Sequence, residues 1–345
     1  MKKLILTFLL LMAATSSFRT VSAQERPWLK YITPSGYCQA GFSIDDSFSN
    51  TFYIRRARIS LGGSLYEGRN GKVEYKVQAE LANSPKLVDY FLKYTVCKEF
   101  GIQLGQFKSP LSIENSEFAP LKLEMIDYSL MVQRFVRMSD SDLSGISSSG
   151  REMGLQFYGS LFKAKDGRSL VRYNVAVFNG NGINKTDDDL RKDFVARLMI
   201  FPIKDLNISG CYLRSLGPDP GLPPVYNDYD YYIFDRYGGG ISYDGKYAWF
   251  RTEYMAGHTF GWRAHGAYAT AGAKIASKIG IGARYDYFTE NSRQEGSFNH
   301  AQQYVTGGVS WYPHRRLRLQ LNYTYKKDPG SAPVHYVNLM TSIIL

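Results

Sequence analysis

Arginine and lysine recur at alternate positions of several segments, and this spacing suggests a chemical role. In an extended strand, alternate side chains point to the same side, so such bases form rows on one face. A ring of Arg or Lys in a pore attracts anions and partly replaces their hydration shell. The candidate bases for this role are Arg56, Arg58, Lys72, Lys76, Arg172, Arg197, Arg251, Arg284, Arg316 and Arg318.

Acidic residues share the same faces of these segments and give the bases a second interpretation. In that interpretation, acid–base pairs stiffen a wall and leave only the surplus of bases to act on a solute. Because bases outnumber acids, a positive field would remain in either case. The candidate pairing acids are Glu74, Glu80, Asp193, Glu253 and Asp286.

A second group of charges lies in the segment 108–149, which lacks the alternating pattern. Its bases are Lys108, Lys122, Arg134 and Arg137, and its acids are Glu114, Glu117, Glu124 and Asp127. Opposed charges across a constriction create a transverse electric field that acts on passing ions. The alternative is a solvated outer loop, in which these charges meet only water.

The sequence offers little support for catalysis or a bound metal. Its five histidines show no HExxH spacing, and no Gly-x-Ser-x-Gly elbow occurs. We therefore expect no enzyme activity and no cofactor, with a barrel enzyme kept as an alternative. Asp187, Asp188 and Asp189 are either calcium ligands or a solvated loop tip.

The elements that position these residues are predicted by a hydrophobic pattern with a period of two. In the segment 316–326, leucine and tyrosine occupy one face, and arginine, glutamine, asparagine, threonine and lysine occupy the other. The segments 72–81 and 278–287 repeat the pattern. Such strands have one apolar and one polar face.

The same pattern predicts about sixteen strands between residue 36 and the last residue. Tight turns at 67–70, 98–100, 202–205, 244–246 and 313–314 alternate with the longer connections 108–149, 180–191, 217–235 and 290–301. Short turns at one end and long loops at the other are typical of an outer-membrane barrel with an even strand number. The predicted fold is all-β, a transmembrane antiparallel β-barrel, with the tight turns and both chain ends on the periplasmic side.

The first residues have the features of a secretory leader. Lys2 and Lys3 precede an apolar stretch, and small residues before Gln24 form a cleavage site. We expect residues 1–23 to be a signal peptide and residues 24–345 to form one barrel domain, with 108–149 as a constriction loop. Losing the three bases of the leader lowers the formal charge from +11 to +8.

Composition also favours a membrane barrel. No apolar run after Gln24 is long enough for a spanning helix, and in lipid only helices and closed barrels satisfy every backbone polar group. Aromatic residues make up 15% of the chain and charged residues 21%, which suits a wall with one apolar and one wet face. A soluble sandwich or β-helix is the alternative. The three cysteines are too far apart to suggest a disulfide framework.

Five segments in order resemble the phosphate-selective porin O and P family: 52–61, 72–80, 105–110, 150–157 and 192–198. The resemblance implies a sixteen-stranded barrel, usually trimeric, whose third external loop folds inward and narrows the pore. It also implies bases on the lumen wall and on that loop. This chain departs from the pattern because acids are interleaved with its bases, which argues against tight phosphate selection.

Together, these features predict a bacterial outer-membrane porin for passive diffusion of small hydrophilic solutes. We expect a modest anion preference, with phosphate among the candidate solutes. The expected partners are outer-membrane lipid, the solutes and two further copies in a homotrimer, but no nucleic acid. The alternatives are a binding or adhesion barrel that displays loops and, third, a barrel enzyme.

Overall fold

Sixteen antiparallel strands close into one barrel in the computed structural model, which describes residues 31–187, 192–218, 231–259, 262–291 and 301–345. Each strand pairs with its neighbours in sequence, and β1 pairs with β16, which confirms the predicted all-β antiparallel barrel of about sixteen strands. The predicted leader lies outside the described residues. The strands are β1 Thr33–Asp45, β2 Asn50–Gly68, β3 Gly71–Glu80, β4 Lys86–Cys97, β5 Phe100–Lys108, β6 Arg151–Lys163, β7 Ser169–Phe178, β8 Asp193–Ile200, β9 Leu206–Pro218, β10 Tyr231–Asp244, β11 Ala248–Thr259, β12 Trp262–Ala276, β13 Ile279–Glu290, β14 Gln302–His314, β15 Leu317–Lys327 and β16 Val334–Ile344.

The long connection between β5 and β6 carries two short helices. Helix α1 spans Ile113–Glu117, a 3-10 turn spans Pro120–Lys122, and helix α2 spans Leu130–Phe135. Ser112 and Ser129 cap the two helices, since their hydroxyls accept bonds from the backbone N–H groups in the first turn. Within the described ranges, no helix is long and apolar enough to span a membrane.

Along the strands, polar side chains are buried and apolar side chains are exposed, which is the reverse of the arrangement in a soluble protein. On β15, Gln320 and Asn322 are each only 3% exposed, whereas Leu321 is 45% and Tyr323 48% exposed. Polar side chains therefore face the inside of the barrel and apolar ones the outside, as the alternation predicts. An outward apolar band is the surface that a membrane barrel presents to lipid.

A β-bulge in β2 breaks this alternation at one position. Gln39 of β1 pairs with Arg56, but the next residue, Ala40, pairs with Ile54, so Arg55 is the extra residue. A bulge places two consecutive residues opposite one partner and re-aims a side chain. As a result Arg55 and Arg56 both point inward, while Ile54 is 59% exposed on the outer face.

The connection between β5 and β6 packs on one side of the wall through a hydrophobic core. The ring of Phe135 in α2 lies 5.8 Å from that of Phe288 on β13, in an edge-on arrangement. The other members come from the connection and from strands β5 to β13: Phe107, Leu111, Leu123, Tyr128, Leu130, Met131, Val132, Val136, Ala176, Phe178, Val195, Leu213, Phe234, Met255, Ala264 and Tyr268. The connection therefore has a fixed position against these strands.

Candidate functional site

Helix α1 is held at its N-terminus by a carboxylate of the wall. Glu253 on β11 accepts bonds from the backbone N–H groups of Ile113 at 2.5 Å and Glu114 at 3.0 Å. It also accepts from the hydroxyls of Ser112 at 2.9 Å and Tyr268 at 2.6 Å. Because the first N–H groups of a helix have no partner within the helix, this carboxylate satisfies donors that would otherwise be unpaired. Glu253 thus binds the helix rather than a wall base.

Helix α2 is held in the same way from a neighbouring strand. Asp286 on β13 accepts a bond from the N–H of Leu130 at 2.9 Å and pairs with Arg284 at 2.7 Å. Arg284 in turn donates to the backbone carbonyl of Asp127 at 2.7 Å. Wall and connection therefore share one network at this point.

Further wall arginines reach the connection. Arg251 on β11 pairs with Glu124 at 2.9 Å and lies 3.6 Å from Glu114. Arg318 on β15 donates to the backbone carbonyl of Leu121 at 2.9 Å. The structure thus brings charges of the wall and of the connection together, through arginines on strands β11 and β15.

On β8, Arg197 pairs with Glu117 at 2.9 Å. Arg137, predicted to act on solutes, is instead enclosed by Glu152 at 2.9 Å and Asp193 at 2.6 Å, and all three side chains are buried. These two carboxylates compensate the charge of Arg137.

Lys108, at the end of β5, is also engaged by protein groups. Its ammonium donates to the backbone carbonyls of Asn115 at 2.6 Å and Phe118 at 2.8 Å. Lys108 thus fastens the start of the connection just as Arg137 fastens its other end.

Open space lies against the other strands of the barrel. One cavity of about 640 Å³ is lined by strands β1, β2 and β13 to β16 together with the connection, and a second of about 410 Å³ adjoins it. Both are lined by Arg55, Asn83 and Gln133, so they form adjacent parts of one space. This space faces the strands that the hydrophobic core leaves uncovered.

Basic side chains line these two cavities. Arg55 pairs with Asp127 at 2.5 Å and Arg58 with Glu80 at 2.8 Å. Arg56 donates to the side chain of Gln39 at 2.9 Å and has no ion-pair partner among the described residues. The surplus of positive charge here rests on Arg56, Lys86, Arg134 and Lys326, which pair with no acid in the described part of the chain.

Sequence reasoning missed four of the bases that line these cavities: Arg55, Lys86, Arg151 and Lys326. Arg55 faces inward only because of the bulge, and two consecutive arginines within an alternating strand are the signal that was available. Arg151, at the start of β6, lines the smaller cavity and pairs with Asp89 at 2.6 Å. Asp89 also pairs with Lys76 at 2.6 Å, so one carboxylate serves two bases.

A third cavity, of about 870 Å³, lies toward the tight-turn end. It is lined by Phe118, Lys122 and Glu124 of the connection and by Trp249 and Arg318 of the wall. Lys122 is exposed here. Open space is therefore found beside the connection and also between the connection and the tight turns.

The remaining predicted wall bases lie near the tight turns. Lys72 is half-buried and pairs with Glu74 at 2.9 Å. Arg172 is exposed, and its guanidinium lies 4.5 Å from the centre of the Phe201 ring. Arg316 belongs to the turn between β14 and β15 rather than to a strand. These three bases thus lie toward the tight-turn end of the barrel.

One acid of the connection, Asp127, has a shifted pKa. Burial alone would raise the pKa of Asp127, but the adjacent Arg55 outweighs it and holds the pKa below its ordinary value. Burial raises the pKa of the nearby Tyr128 hydroxyl. Asp127 is therefore charged at neutral pH and neutralises Arg55.

Metal binding finds no support in the residues that the structure describes. Within them, no group of three or more histidine, cysteine or acidic side chains is arranged to hold an ion. Asp187 pairs with Lys192, while Asp188 and Asp189 of the proposed calcium loop lie outside the described residues.

Comparison with known proteins finds one matching family model and many solved structures with a similar fold. A family model described as phosphate-selective porin O and P matches residues 36–217 and 259–340. Among curated proteins, none is significantly similar in sequence.

Several solved porin structures share the fold. An anion-selective porin from Comamonas acidovorans is 12% identical with a TM-score of 0.69, covering 91% of this chain and 99% of that one. OmpT of Vibrio cholerae in its trimer form is 10% identical with a TM-score of 0.66, at 91% and 99% coverage. OmpF of Salmonella typhi is 9% identical with a TM-score of 0.67, at 91% and 97% coverage. At such low identity these likenesses concern the fold alone.

Proposed function

The chain belongs to the phosphate-selective porin O and P family of the bacterial outer membrane, and from this premise we propose how it conducts. We propose that the connection 108–149 lies in the lumen as a constriction and that small hydrophilic solutes pass beside it. The passage runs along strands β14 to β16 and β1 to β4. Family and fold indicate a channel rather than an enzyme.

The single observation that carries the proposal is that the hydrophobic packing of the connection is one-sided, whereas β2 and β15 meet it through polar bonds such as Arg55–Asp127 and Arg318–Leu121. Its hydrophobic core and its bonds to Glu253 and Asp286 fasten it toward β5 to β13. The cavities of about 640 and 410 Å³ lie on the opposite side. Passage of a solute requires such space beside the connection, whereas a barrel that only displays loops does not need it.

The charges beside this passage favour anions modestly. Arg56, Arg134 and Lys326 add positive charge, whereas Arg55 and Arg58 are compensated by carboxylates. A positive field between low-dielectric walls raises the local concentration of anions. Because most bases are paired, we expect no strict phosphate filter, and we expect the preference to weaken as salt screens the field.

We further propose a homotrimer in outer-membrane lipid, with the tight turns in the periplasm. The V. cholerae relative in trimer form and the outward apolar band support this assembly. Short periplasmic turns are usual in bacterial barrels.

The test is the reversal potential of the purified protein in a planar bilayer across a KCl gradient. We expect an anion-selective value that moves toward zero when Arg56 is changed to Gln. The matched control is Arg172→Gln, which removes the same charge at the exposed mouth and should change selectivity less. A cation-selective value in the unmodified protein would overturn the proposal.

A further inference from the structure

The tight-turn end of the barrel is strongly basic. The seven turns between paired strands at this end contain nine Lys or Arg residues and three acids. The bases are Arg69, Lys98, Lys165, Arg168, Lys204, Lys246, Lys278, Arg315 and Arg316. The connections at the opposite end, apart from the one after β5, contain four bases and nine acids. The two ends of the barrel therefore carry opposite charge.

The basic turns, called here the basic rim, present their charge to the surroundings. Arg168 pairs with Asp166 at 2.9 Å. The other eight bases of the rim are exposed and have no ion-pair partner in the described ranges. Eight uncompensated charges around one edge form a ring that attracts anions.

Exposed apolar side chains alternate with the bases of the rim. Phe162, Ile203, Tyr247 and Ile275 are 57–71% exposed in or beside the turns, and the outward ring of Trp311 is 48% exposed. Ile203 and Tyr247 are direct sequence neighbours of rim bases. Aromatic and apolar residues with this exposure mark the depth at which a membrane protein meets the headgroups. The bases of the rim are therefore at the level of the lipid phosphates.

We propose that the basic rim binds the headgroups of anionic phospholipids in the leaflet that surrounds it. Bases next to a membrane surface attract acidic lipids, and the effect corresponds to roughly fivefold in lipid partition per base. A soluble acidic partner would require the charges but not the apolar side chains between them. The proposal does not depend on what passes through the channel.

The test measures lipid preference at Trp311, which lies on the outer face close to Arg315 and Arg316. The full chain, with its other tryptophans changed to Phe, is refolded into phosphatidylcholine vesicles. Brominated phosphatidylglycerol or brominated phosphatidylcholine then quenches the fluorescence of Trp311. We expect phosphatidylglycerol to be preferred at this position by about fivefold or more at low salt.

The variant Arg315→Gln/Arg316→Gln should reduce this preference to about equality, because the two nearest charges are removed. The control Lys185→Gln/Lys327→Gln removes two exposed bases at the opposite end and should preserve it. Circular dichroism verifies that each variant keeps its strand content. Equal quenching by both lipids in the unmodified rim would overturn the proposal, as would equal losses in both variants. Displacement of the acidic lipid by polyglutamate would instead indicate a soluble acidic partner.

Discussion

The bond between Glu253 and helix α1 allows a quantitative prediction about the proposed constriction. Changing Glu253 to Gln keeps the size of the side chain but turns one of its oxygens into a donor. The best orientation keeps the remaining oxygen on Ser112, Glu114 and Tyr268, which lie 2.6–3.0 Å away. The N–H of Ile113 then faces an NH₂ group and loses its acceptor.

A hydrogen bond to a charged group contributes about 1.5–3 kcal/mol. Loss of the hydrogen bond from Ile113 and weakening of the other three should therefore destabilise the docked position of α1 by roughly 3 kcal/mol. Because 1.4 kcal/mol corresponds to tenfold, release of α1 should become about a hundredfold more frequent. The barrel should stay closed, since the strand pairing does not involve this side chain. We expect added current noise and brief conductance changes in single-channel recordings.

The matched control is Glu74→Gln, which makes the same chemical change on the inner wall but away from the connection. Glu74 pairs with Lys72 at 2.9 Å near the tight turns. Recordings at the same voltage and salt should show the noise of the unmodified channel. If Glu253→Gln is as quiet as Glu74→Gln, the carboxylate does not hold the connection in place and the reasoning fails.

Three further predictions concern the wall, the constriction and pH. Leu321→Arg should impair assembly, because a charge near the midplane of the membrane costs roughly 2–4 kcal/mol. The control Thr324→Arg places the charge beside a cavity and should assemble. Equal yields of heat-resistant barrel from the two variants would contradict this prediction. Deleting residues 121–137 should raise single-channel conductance and lower thermal stability, since a hydrophobic core is lost with the obstacle; unchanged conductance would place the loop elsewhere. The pKa of Asp127 is lower in the folded protein than the ordinary carboxyl pKa of about 3.9. The ion pair with Arg55 is therefore fully formed above the ordinary pKa, and it is lost as the pH falls through the lower pKa of the folded state. Anion preference should therefore rise only below about pH 4, and Asp127→Asn should already show the higher preference at pH 7.

The alternation of side chains was enough to predict the strands and their faces. Each strand carries its own signal, because burial on one side and lipid on the other require a period of two at every position. Leu321 and Gln320 could thus be assigned to opposite faces without knowing any partner. The alternation of short and long connections likewise predicted an even-numbered barrel.

The long-range pairs could not be predicted in this way. Arg137 is separated by 56 residues from Asp193, and Glu253 by 140 from Ile113. Nothing local in the sequence distinguishes these partners from the other charges of the same faces. The inward position of Arg55 depends on a bulge, which arises from the register with β1 rather than from the strand itself.

Apart from Arg55 at the bulge, the sequence by itself therefore determined which strand side chains face the lumen, because facing is a local property of a regular strand. The tertiary structure decided which of those charges are compensated, because compensation requires the barrel to close and the connection to pack. Arg56 and Arg58 illustrate the difference, since both share one face of β2. Only Arg58 meets a carboxylate, that of Glu80 on the neighbouring strand, while Arg56 meets the neutral amide of Gln39.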